Sequence, residues 1–195
     1  MLFPGGPLPL RLFEPRYLDM ISQCMRTSSP FGVVLLTEGQ EISSPAKTDI
    51  PDTMGVRTQS IGTLATISDW YQGTDGLLGI TALGTDRFRL RTISRQSDGL
   101  NLGDIELLPA EPAVPLPQKY ASMAELLRAV IDDLGRLYEA VEKHYDSASW
   151  VGYRFAEILP LGAQDKQHCL EMTDPVARLE LLRPYLRDIR EQPTQ

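Results

Sequence analysis

Pro109-Ala110-Glu111-Pro112-Ala113-Val114-Pro115-Leu116-Pro117 decides the fold reading, because the hydrophobic period changes across it. Four prolines in nine residues favour an extended, semi-rigid stretch. Before it, apolar residues tend to alternate with polar ones; after it they recur at i, i+3, i+4 and i+7. The expected fold class is α+β with two lobes. Residues 1–108 form a β-rich lobe, 109–119 a connector, and 120–195 a helical bundle.

On the N-terminal side, Leu8, Leu10 and Leu12 alternate with Pro9, Arg11 and Phe13, which predicts a strand. Pro15 opens a short helix, where its missing N–H costs nothing. Tyr17, Leu18, Ile21, Cys24 and Met25 share one face of it, and Ser28-Ser29-Pro30 stops it. The Phe13-Glu14-Pro15-Arg16-Tyr17 segment reads as architectural. Phe13 points away from Leu12, Glu14 meets the helix dipole, and Arg16 reaches outward to another strand or to the second lobe. Phe31 to Leu36 is an apolar run suited to a buried strand, and 38–60 reads as a long loop. Strands are predicted over Ile61–Tyr71, Leu77–Leu83, Asp86–Gln96 and Leu100–Leu108, with Gly84 parting the middle two. Such short strands between turn signals indicate an antiparallel barrel or sandwich.

Beyond the prolines, Ser122 and Glu125 have capping-box spacing. The apolar stripe from Met123 to Val141 predicts one helix of five turns. A second helix covers about Ser149 to Leu159 and a third Gln164 to Met172. Thr173-Asp174-Pro175 caps a fourth, with Val176, Leu179, Leu182, Leu186 and Ile189 on its apolar face. Pro184 should kink it, since its ring opposes the carbonyl of Glu180.

Composition narrows the function. The chain is 42% hydrophobic and 23% charged, with a formal net charge of -7. That balance disfavours nucleic acid, which is bound by clustered Lys and Arg. No apolar run approaches membrane-spanning length, and the N-terminus carries no leader, so a cytoplasmic location with no membrane partner is expected. Cys24 and Cys169 read as reduced, buried residues. There is no phosphate loop, zinc-spaced cluster or nucleophile elbow, so no catalytic residue, metal or cofactor is expected. His144 and His168 read as structural, and the adjacency of His168 and Cys169 on a helix does not make a dyad.

Two aromatic groups are the candidate binding residues. Trp70 and Tyr71 flank a glycine-rich turn and could anchor a peptide or cap the barrel end. Trp150, Tyr153 and Arg154 crowd one helix, where Arg154 lies at i+4 from Trp150 and could stack on it, framing a groove or packing a core. Arg87, Arg89 and Arg91 alternate along a strand, with Arg95 beyond, which predicts one solvated face or an anion stripe.

Phe13-Glu14-Pro15-Arg16-Tyr17, Gly62-Thr63-Leu64-Ala65-Thr66-Ile67, Gly84-Thr85-Asp86-Arg87-Phe88-Arg89-Leu90 and the Asp165-to-Asp174 stretch stand in the order seen in Lon N-terminal domains. The chain resembles that substrate-binding family, in the stand-alone bacterial form without ATPase or peptidase, and is also similar to the Lon-like domain of cereblon. The resemblance implies a PUA-like barrel with one short helix, followed by a helical bundle. It also implies a non-enzymatic module that binds unfolded or partly folded polypeptide, or an adaptor to another protein machine. An RNA-binding PUA-like protein is the alternative.

Overall fold

The chain begins β1 (Pro7–Leu12), α1 (Pro15–Thr27) and β2 (Phe31–Val33). There follow β3 (Ile50–Pro51), β4 (Arg57–Thr58), β5 (Ile61–Gln72), β6 (Leu78–Arg95) and β7 (Asn101–Leu107). This computed structural model describes residues 1–37, 50–51 and 57–191, so most of the loop expected over 38–60 lies outside the described residues. The backbone divides into two compact units, residues 1–109 and 110–195.

In the first unit, the two strands expected on either side of Gly84 are one strand of 18 residues. The glycine does not break it because both of its backbone groups are bonded. Its N–H donates to the Gly6 carbonyl at 2.9 Å, and its carbonyl accepts from Gly5 N–H at 2.8 Å. Here Gly84 permits close backbone approach rather than a turn. One edge of β6 carries β5; the other carries β1 against Leu78–Leu83 and then β7 against Phe88–Arg95. β2 pairs with the far edge of β5. The path β1-β6-β5-β2 with β7 on β6 is open, and no ladder joins β2 to β7 among the described residues. Where an antiparallel barrel was expected, the described residues form an open antiparallel sheet.

Pro15 stands at the start of α1, and Glu14 before it is extended at φ -87°, ψ 130°, as a residue preceding proline must be. Ser28 ends the helix in the left-handed region at φ 52°. Ile21 and Cys24 turn inward and join Leu12, Phe31, Ala65, Ile80 and Ala82 in the core. Met25, expected on that face, is exposed.

In the second unit a 3-10 turn, Gln118–Tyr120, runs directly into α2 (Ala121–Leu134). Ser122 therefore sits inside the first turn, and the expected capping box is not formed: Tyr120 is the N-cap and has no side-chain cap bond. The single five-turn helix is also corrected. Gly135, at φ 52° and ψ -117°, ends α2, and a 3-10 segment, Gly135–Tyr138, follows. Tyr138 and Val141 are buried all the same, so the stripe survives the break.

α3 (Ala148–Ile158) is capped by Ser147, whose hydroxyl accepts from Trp150 N–H at 3.4 Å, and is buried nearly all round. α4 (Ala163–Glu171) and α5 (Pro175–Glu191) follow. Asp174 caps α5, accepting from Val176 and Ala177 N–H at 2.8 and 3.1 Å. The helix runs through Pro184 without ending there; Leu179, Leu182 and Leu186 are buried, while the Ile189 side chain is outside the described residues. The proline-rich segment is bonded into this unit. Ala148 N–H donates to Val114 carbonyl at 3.0 Å and Leu116 N–H to Asp146 carbonyl at 2.6 Å.

Candidate functional site

Because the sheet of the first unit is open, its two terminal strands leave a gap, and a groove of about 740 Å³ fills it. Leu8, Leu10 and Leu12 of β1 and Tyr17 and Met20 of α1 form one wall. Phe31 and Val33 of β2, with Leu36 beyond it, form another, and β7 forms the third, with Ile105 on the face it shares with Leu90 and Leu102 lining from the strand's other face. The floor, including Phe88 and Leu90, continues the buried core.

Two glycines set the depth of that floor. A Cβ on Gly62 would fall 2.6 Å from the Val33 carbonyl oxygen and 2.7 Å from the Phe88 ring. One on Gly32 would fall 3.1 Å from the same ring. Glycine is required at 62 to leave room for the Phe88 ring and is favoured at 32.

The opening is apolar too. Phe13 is 70% exposed, Leu36 56%, Leu102 45% and Ile105 41%, and all four line the groove. Single exposed hydrophobics are ordinary; four at one opening form an apolar patch. Strand alternation turns Leu12 inward and Phe13 outward, and Pro15 then fixes the chain so that Phe13 stays at the lip. Charged groups at the rim are neutralised in pairs. Arg11 pairs with Asp75, and Glu14 with Arg16 at 2.6 Å.

Arg16 also donates to the Gly99 carbonyl at 2.8 Å, tying α1 to the turn before β7. Its guanidinium lies 4.8 Å from the centre of the Tyr17 ring. Arg16 was expected to pair with another strand or with the second lobe; it instead bonds the β6–β7 turn and pairs locally with Glu14.

The sequence candidates fall in different units. Trp70 and Tyr71 lie near the β5–β6 turn, 59% and 47% exposed, outside the groove lining. The Tyr71 ring covers Gly79. Trp150, Tyr153 and Arg154 are buried in the second unit. Arg154 pairs with Glu157 at 2.9 Å and lies 5.8 Å from the Trp150 ring centre. Burial pushes the Glu157 carboxyl up from its ordinary value, and Arg154 offsets this only in part. Tyr153 donates to Glu111, and Arg178 stacks on the Tyr153 ring at 3.9 Å. Arg178 is fully buried, pairs with Glu111, and donates to the carbonyls of Cys169 and Met172, both at 2.8 Å.

The arginine row is not one solvated face. Arg87 is buried, whereas Arg89, Arg91 and Arg95 are exposed, and Arg91 pairs with Glu106. Arg87 lies where β6 passes from β1 to β7, and a register shift between Leu90 and Thr92 upsets the alternation beyond it. Cys169 is buried, which raises its thiol pKa, while His168 is exposed. No group of three His, Cys, Asp or Glu side chains among the described residues could hold a metal ion. Phe13, Leu36, Leu102 and Ile105 were missed as candidates because only the open strand order brings them together.

The open sheet and its apolar groove lie in the first unit, and the helical unit follows in the chain. The chain matches the ATP-dependent protease La (LON) substrate-binding domain over residues 1–188, and it belongs to that family. It is similar to the Lon N-terminal domain protein from Xanthomonas campestris, with a TM-score of 0.70 and 30% identity over 99% of this chain and 94% of that one. Lon protease 2 of Myxococcus xanthus is 24% identical over 98% of this chain and 23% of its own length. Protein cereblon of Gallus gallus is 27% identical over 66% and 26%. The chain therefore spans about a quarter of the length of these curated relatives.

Proposed function

We propose that the first unit binds exposed apolar stretches of unfolded or partly folded polypeptide in this groove, catalyses no reaction, and serves as a substrate-recognition module or an adaptor to another protein machine in the cytoplasm. The observation that carries the reading is the apolar opening formed by Phe13, Leu36, Leu102 and Ile105 over a groove of about 740 Å³. Burial of client aromatic and aliphatic side chains there supplies the affinity, and the paired rim charges contribute little. Trp70 and Tyr71 are a second exposed apolar spot that a longer client could reach. Trp150, Tyr153 and Arg154 take no part in this reading because their side chains are enclosed. An RNA-binding role for a PUA-like fold gains no support from the arginines, since Arg87 is buried and Arg91 is paired with Glu106.

The test is fluorescence anisotropy with a labelled, reduced and carboxymethylated protein, which cannot fold. Leu102→Asp and Ile105→Asp change half-exposed side chains, so the variants should fold as the parent does. Each should weaken binding by about tenfold or more. Equal binding by parent and folded variants would place the client elsewhere.

A further inference from the structure

We propose that a client is held at this groove by strand addition: an extended segment of apolar residues alternating with Lys or Arg pairs with the free edge of β7. This rests on the groove reading above and adds the geometry and chemical class of what is bound.

β7 is a terminal strand. Its only ladder among the described residues is with β6, and each of its seven residues is exposed. An unpaired strand edge presents a row of N–H and C=O groups that template another strand. Edges are commonly protected by charged side chains, lysine above all, by proline or by a covering element, and the charges of β7 are Asp104 and Glu106. The β7 sequence, Asn101-Leu102-Gly103-Asp104-Ile105-Glu106-Leu107, carries neither Lys nor Pro. β2, at one end of the open path, lines the same groove. A strand laid in that gap gains main-chain bonds from β7. Because side chains alternate faces, every second residue enters the apolar groove while the others project away.

Charge selects the occupant. A second copy could in principle pair β7 with β7 about a two-fold axis. An axis at Asp104 sets Asp104 against Asp104, and one at Ile105 sets Asp104 against Glu106 twice. Like charges directly opposed destabilise a strand pair. Asp104 accepts a hydrogen bond from the Thr92 hydroxyl at 2.6 Å and has no cation beside it among the described residues. With a formal net charge of -7 over the chain, the edge favours a partner bearing Lys or Arg at the alternate positions.

The experiment uses the full chain and a labelled peptide of Leu and Phe alternating with Lys. Two further versions are N-methylated at every second residue, in the two opposite phases. Residues of one phase direct their N–H groups to one edge of the strand. One methylated peptide should therefore lose about tenfold or more in anisotropy titrations, and the other should stay within about threefold of the parent. Asp104→Lys should weaken the basic peptide by about fivefold at low salt, and the loss should shrink as salt rises. If both phases bind like the parent, or both lose equally, strand addition is wrong. If the peptide also still depends on Leu102, the groove reading survives that failure. If the peptide fails to bind while the carboxymethylated protein binds, the proposed client class is wrong. If neither binds, the groove reading itself falls, and strand addition with it.

Discussion

Arg178→Ala should cost the second unit about 3–5 kcal/mol, a large share of an ordinary domain's stability. The Arg178 side chain has no exposure and that of Glu111 has 5%. Truncation leaves the Glu111 carboxylate enclosed without its cation, beside the hydroxyls of Tyr153 and Ser149. It also takes the donors from the Cys169 and Met172 carbonyls and the guanidinium from the Tyr153 ring. An uncompensated buried charge dominates that sum; the two carbonyls can be re-solvated in part by water entering the vacated volume. Urea unfolding followed by Trp150 fluorescence in a Trp70→Phe background reports on this unit alone, since the chain has 2 tryptophans. The midpoint should fall with the slope unchanged. Replacing both partners, Glu111→Leu with Arg178→Met, should cost much less than Arg178→Ala, because no charge is stranded. A loss below about 1 kcal/mol for Arg178→Ala, or a double variant as unstable as the single, would refute the reasoning.

Three further outcomes are expected. Burial alone would raise the Glu111 pKa, but the hydrogen bond and charge of Arg178, with the Tyr153 hydroxyl, hold it below its ordinary value of 4.5. Its stabilisation is therefore present above that ordinary value and lost as pH falls through the folded one, so the urea midpoint of the parent should drop more steeply in acid than that of Glu111→Gln. Gly135→Ala meets no atom within 4 Å, so its cost is backbone strain at φ 52° alone, about 1–3 kcal/mol in the same urea assay. Arg16→Met removes the bond to Gly99, the guanidinium over the Tyr17 ring and the partly exposed pair with Glu14, which contributes little. It should lower the melting temperature by only a few degrees, roughly the loss of one charge-assisted hydrogen bond, yet speed amide exchange in the β6–β7 turn.

Much of the fold was legible because it follows from local rules. Pro15 and Asp174 start their helices where the residue types demand, and the period of 3.6 after the prolines marks the helical unit. What failed depended on distant partners. Gly84 read as a break because nothing local reveals that Gly5 and Gly6 bond to it, and Arg87 read as solvated because the crossing from β1 to β7 is tertiary. Gly135 was overlooked since the apolar stripe continues past it. For the site the limit was sharper. Aromatic content drew attention to Trp150 and Tyr153, which are core, while Phe13, Leu36 and the β7 pair Leu102 and Ile105 come from three separate segments. An antiparallel barrel or sandwich was expected, and the open sheet is what gives those four a common opening.

The central claim, that the groove of the first unit receives unfolded polypeptide, is tested most directly by hydrogen–deuterium exchange of the intact chain with and without the carboxymethylated client. Protection should appear in Leu8–Met20, in Phe31–Leu36 and along β7, with the second unit unchanged. Protection confined to the second unit, or none at client concentrations that saturate the anisotropy signal, would contradict it.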